Sequence, residues 1–246
     1  GFNNGDSNGH TAQGKAANDI WETSIAKSLL YAYDAFFPEM ENLENRLTAF
    51  LGEKSDMYQM ANPKNTTAAI RKNIEDNIVR IVYPAMKKSQ IRGNMGMHQS
   101  TLALAAVVLD EEETSKEWLE YVFQTGEMIK VTHPDYPYGR QFQVTGGDLS
   151  RLLVNEVDRD GMGNEAAPGY NRIWINTFTE VADILDGYER YPEFDLYKNV
   201  KFQKMFTAFY QLIMLGKYTP SIGDSGFLGS PIVVGELSGR GYRGHY

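Results

Sequence analysis

Between residues 18 and 37 apolar side chains recur at Trp21, Ile25, Ala26, Leu29, Leu30, Tyr33, Phe36 and Phe37. Steps of three, four and one place them in a broad stripe on one helical face, so the spacing predicts an amphipathic helix. Residues 40–51 repeat the pattern with Leu43, Leu47 and Phe50. Residues 67–82 do so with Ile70, Ile74, Ile78 and Ile81, and Pro84 is expected to close that helix. Further helices are expected over residues 98–109, 115–129, 168–185 and 199–215. Several have Ser, Thr or Asn near the start and Gly or Pro past the end.

Strand-like alternation is confined to a short hairpin expected around "RQFQVTGG" and to the terminal "PIVVGEL". Short links between successive helices imply antiparallel hairpins, packed as a bundle, a solenoid or a ring. The expected class is therefore all-α, with at most a short β segment toward the carboxy-terminal end. Residues 132–165 are the exception to short links. They read as a long irregular connection, and its aromatics and arginines point to function.

Composition narrows the possibilities. No run approaches the ~18 consecutive apolar residues of a membrane span, so a soluble chain is expected. With 24 basic and 32 acidic side chains the net charge is -8, which argues against a nucleic-acid partner. The absence of cysteine removes disulfides and thiolate metal sites. The opening "GFNNGDSNGHTAQG" lacks the basic start and apolar middle of a signal peptide, so any export signal is expected to have been removed already. Residues 1–17 are read as a polar lead-in, 18–228 as the helical domain, and 229–246 as a tail or the beginning of a following β region.

Two stretches carry candidate chemistry. In "RGNMGMHQSTLALAAVVL", Asn94 and His98 are four apart. If the helix begins at Asn94 they share a face at its amino end, where an amide, an imidazole and free N–H groups can hold a carboxylate. The bland alternative is an N-cap and a packed histidine. The seven basic residues Lys64, Arg71, Lys72, Arg80, Lys87, Lys88 and Arg92, against Glu75 and Asp76, give a local cationic excess leading into Asn94. In "DGMGNEAAPGYNRIW", Pro168 suits a first helical position, Tyr170 then lies in the first turn, and Trp174 follows one turn later. This pair can offer a proton-transfer group and a stacking surface to a sugar, or simply pack in the core. Arg140, Arg151 and Arg159 can each clamp a carboxylate or sulfate.

Other spellings are set aside. "GRGYRG" has no helix after it, "GDSG" has no β-barrel around it, and "DRDGMGNE" lacks calcium-loop spacing. "DEEE" at 110–113 reads as a solvated link, and His10, His133 and His245 have no partners at metal-ligand spacing.

Three pieces taken in order, "GNMGMHQSTLALAAVVLD", "DGMGNEAAPGYNRIWINTFTEVADIL" and "YTPSIGDSG", resemble segments of the heparinase II/III-like and alginate-lyase-like polysaccharide lyases. "IAKSLLYAYDAF" is similar to an early helix of that family. The resemblance implies an incomplete α/α toroid, a periplasmic or secreted setting, and β-elimination on a uronic-acid-containing polysaccharide. It matches Tyr170 to the catalytic tyrosine and Asn94, with His98, to the groups that neutralise the substrate carboxylate. Trp174, Arg140 and Glu165 are then expected to bind substrate. The family's histidine often directly follows the asparagine, a place held here by Met95. No cofactor or metal is placed on a residue of this chain. The alternatives are a non-catalytic glycan-binding helical domain and a toroid glycoside hydrolase using Asp160 and Glu165.

Overall fold

In a computed structural model, residues 19–42, 44–131, 142–165, 167–216 and 218–223 are described. The expectations for residues 1–17 and 229–246, and for Arg140, His10, His133, His245, "PIVVGEL" and "GRGYRG", lie outside them, as do Leu43 and most of "GDSG".

The described chain is mostly helical. Helix α5 (Met97–Leu109) is buried almost all round from Gln99 to Ala106, as its continuous apolar run requires. Around it pack α1 (Asp19–Phe36), α6 (Glu112–Phe123) and α8 (Pro168–Leu185). Leu102, Leu119, Ile175 and Phe178 meet in the core between them. Helix α9 (Val200–Ala208) backs α8 and adds Phe202 and Met205 to the same core. Pro168 opens α8 at the position where a missing N–H costs nothing, and Asn199 caps α9 by accepting from the N–H groups of Lys201 and Phe202.

The amino-terminal third departs from the pattern. On α1, Ala26, Leu30 and Tyr33 of the expected stripe are buried, whereas Ile25, Leu29 and Phe36 face outward. The second expected helix is a π turn at Glu44–Thr48 followed by α2 (Ala49–Met57), with Phe50 exposed. Helix α3 (Thr67–Ile74) passes into a π turn at Glu75–Val79, and Pro84 does not close it. Instead Pro84 sits in the first turn of α4 (Val82–Lys87), where no helical N–H partner is needed.

The expected helix over 115–129 stops at Phe123 because the chain must turn back on itself there. A Cβ on Gly126 would lie 2.1 Å from the Gly146 nitrogen, so the two backbones abut. Beyond that contact β1 (Met128–Lys130) pairs antiparallel with β2 (Phe142–Val144), Ile129 opposite Gln143. This is the expected hairpin, and it lies mid-chain. The long connection is less irregular than expected, since it also holds α7 (Leu149–Asn155), which buries Leu149, Leu152 and Leu153. The "DEEE" link is anchored rather than merely solvated. Arg190 grips Asp110 at 2.8 and 3.0 Å, Tyr188 donates to it at 2.7 Å, and Arg80 grips Glu111. Both carboxyls are held below the usual range, chiefly by those arginine hydrogen bonds.

Candidate functional site

One cavity of about 630 Å³ gathers polar groups from four parts of the chain. The segment after α4 supplies Ser89 and Arg92, and the turn before α5 supplies Asn94. The first turn of α5 supplies His98. The hairpin base and α7 supply Asp148 and Arg151. Met86, Ile91, Met95, Met128, Val144 and Leu152 form apolar walls, the usual make-up of a small-molecule site.

Asn94 is not helical. Its carbonyl accepts from the Met97 N–H at 3.0 Å in a turn, and α5 begins only after Gly96. It still shares the cavity wall with His98, so the two residues are brought together by a different local geometry from the one their spacing suggested. Gly96 has a φ of 89°, and a Cβ there would lie 2.4 Å from the Thr177 hydroxyl, so only glycine fits. That hydroxyl donates to the Met95 carbonyl. From the other side, the fully buried Gln99 accepts from the Gly96 N–H at 2.9 Å and donates to the Gly147 carbonyl at 2.7 Å. The Asn94 turn is thus pinned both to α8 and to the strap between β2 and α7.

His98 is half-buried, and its Nδ1 is buried with no hydrogen-bond partner. Burial pushes the imidazole down to about 4, with Asp148 opposing the shift and Arg92 reinforcing it. The ring is therefore neutral at pH 7. Between about 4 and the ordinary 6.5 the unfolded chain binds a proton that the folded chain does not. Stability is fully present above about 6.5 and is lost as pH falls toward 4. His98→Gln is expected to lessen that loss by ~2 kcal/mol, allowing for partial exposure of the ring. Urea titrations of both proteins at neutral and acidic pH measure it, and an identical acid loss in the variant would contradict the assignment.

Asp148 stands at the start of α7 with φ 61°. Its carboxylate accepts from the Gly126 N–H at 2.7 Å and from Arg151 at 3.1 and 2.9 Å. Burial would raise its carboxyl, but Arg151 and the Gly126 N–H outweigh it and hold the group below the usual range. Arg151 therefore enters the site already paired.

Tyr170 is not in the cavity wall. It is partly exposed in the first turn of α8, seven residues before Thr177, or about 10 Å along the helix from the contact with Met95. Of the two expectations for Trp174, the structure shows packing. The residue is 5 % exposed, its ring meets Phe178 edge-on, and its indole N–H donates to Glu165 at 3.3 Å, leaving no free face for a sugar. Glu165 is exposed and engaged in that bond, outside the cavity. Asn171 staples the preceding loop to α8, donating to the Glu165 carbonyl at 2.6 Å. Asp160 and Arg159 lie exposed on that loop, which Lys201 and Lys204 tie to α9 through the carbonyls of Val157 and Arg159, Lys201 also reaching that of Val154 in α7.

Ser89, Gln99 and Asp148 escaped the sequence reading. Ser89 and Asp148 are non-glycine residues with positive φ, which no composition rule announces. Gln99 carried a signal, a polar side chain at the head of an apolar helical run. Among the described residues no group of acidic or histidine side chains is arranged to hold a metal ion, and no helix is long and apolar enough to cross a membrane. No family model, curated protein or solved structure matches the chain.

Proposed function

We propose that the chain is a polysaccharide lyase acting by β-elimination on a uronic-acid-containing polysaccharide, with its helical hairpins forming part of an α/α toroid. The supporting observation is the meeting of Asn94, Arg92 and an uncharged His98 in one cavity wall. Removing the C5 proton of a uronate places further negative charge beside its carboxylate, so donors aimed at that group are the main catalytic requirement. The Asn94 amide and Arg92 supply them. His98, neutral at pH 7, contributes an N–H donor or a free nitrogen that accepts the C5 proton. As that proton leaves, the C4–O bond breaks and a C4=C5 double bond forms. The family resemblance assigns the protonation of the departing oxygen to Tyr170, which stands outside this wall.

A second reading, a non-catalytic binder of acidic glycans, is favoured by the place of Tyr170 outside the cavity wall. The two separate on a panel of alginate, pectate, hyaluronan, chondroitin and heparan-type chains. A lyase generates ultraviolet absorbance from the new conjugated double bond. A binder retains the polysaccharide without it, and reducing ends without absorbance would indicate hydrolysis and refute the proposal.

A further inference from the structure

Ser89 occupies an unusual position. Helix α4 ends in a turn in which the Ser89 N–H donates to the Met86 carbonyl at 2.9 Å and the Gln90 N–H to the Ala85 carbonyl at 2.8 Å. This is the helix-ending motif whose left-handed residue is usually glycine. Here it is serine, with φ 56°. Ser89 is 3 % exposed, and its hydroxyl is buried without a hydrogen-bond partner. A side chain that strains the backbone and leaves a polar atom unsatisfied lowers stability twice, a combination that collects at functional sites. Ser89 lines the same cavity as His98, whose Nδ1 is likewise unpartnered.

The chemistry of the two atoms selects among ligands. A serine hydroxyl and a neutral imidazole offer both donors and acceptors and no charge. A carboxylate or sulfate only accepts, and a buried neutral hydroxyl cannot offset its charge. A sugar hydroxyl donates and accepts, and so matches both. We propose that Ser89 is a specificity residue, its hydroxyl acting with His98 to bind free ring hydroxyls of an acidic saccharide whose acid group lies toward Asn94 and Arg92. Saccharides O-acetylated or O-sulfated at those hydroxyls are excluded. This rests on the acidic-sugar reading of the cavity, though not on catalysis.

The test uses Ser89→Gly and Ser89→Ala with unsubstituted tetrasaccharides of mannuronate, galacturonate and glucuronate, followed by calorimetric binding, thermal melting and double-bond absorbance. Glycine relieves the backbone, so Ser89→Gly is expected to melt a few degrees higher. Both variants are expected to bind the preferred tetrasaccharide about tenfold more weakly, the loss of one hydrogen bond. Acetylating that tetrasaccharide is expected to weaken binding to wild type and to matter less in either variant. Unchanged affinity in both variants overturns the proposal, as does failure of wild type to bind any of the three. Elimination that persists in Ser89→Gly with unaltered KM sinks the role of Ser89 and leaves the lyase assignment standing. Ser89-dependent binding without elimination does the reverse.

Discussion

Asn94→Ala is expected to lower the rate of double-bond formation by about 10²- to 10³-fold while leaving the melting temperature almost unchanged. The loss is that of one donor aimed at an anion in a water-poor site. Stability is spared because the turn uses the Asn94 carbonyl, and the Gly96, Gln99 and Thr177 contacts that pin it remain. Asn94→Asp is expected to be at least as damaging, because it sets a second carboxylate against that of the substrate. Steady-state assays on the preferred polysaccharide give the comparison. A variant that loses activity only through unfolding, or that keeps full kcat/KM, would remove Asn94 from the mechanism.

The largest effect on stability is expected at Gln99. Gln99→Leu conserves volume but strips partners from a buried N–H and a buried carbonyl, at about 1–3 kcal/mol each. The expected destabilisation is therefore about 2–6 kcal/mol, or roughly 4–24 °C in melting temperature for a chain of this size. Gln99→Glu separates the two bonds. It keeps an acceptor for Gly96 but cannot donate to Gly147, and it buries a carboxylate against a carbonyl oxygen. It should be no better tolerated than leucine. Urea unfolding measures both, and a leucine variant within 0.5 kcal/mol of wild type, the ordinary scatter of surface substitutions, would show that Gln99 does not tie the strap to α5.

These two residues also mark how far the sequence could be read. The bounds of α8 were legible because Pro168 and the apolar period agree, and α5 was legible because its run is apolar throughout. The hairpin was legible from its alternation and its glycines. Helix α7 was hidden because seven residues between turn formers carry too little period to register. The stripe on α1 was legible as helix, but which of its residues are covered was not, since periodicity records which residues share a face and not which neighbour covers them. The partly buried polar contact of Lys27 with Ser100 at 3.3 Å, and of Ser100 with Glu180 at 3.0 Å, joins three helices and has no local signature. In the site, spacing found Asn94 and His98 although the helix begins later than supposed. It did not find Ser89, whose significance lies in a backbone angle. Tyr170 and Trp174 were marked by the same motif, yet one lies partly exposed and the other is packed.

The most direct test is ultraviolet absorbance during incubation of wild type, Asn94→Ala, His98→Gln and Tyr170→Phe with the panel of uronic-acid polysaccharides. The expected result is a steady rise with at least one substrate in the wild type, cut at least a hundredfold in each variant. A flat trace for the wild type on every uronate, or a rise that all three substitutions leave untouched, would contradict elimination at this cavity.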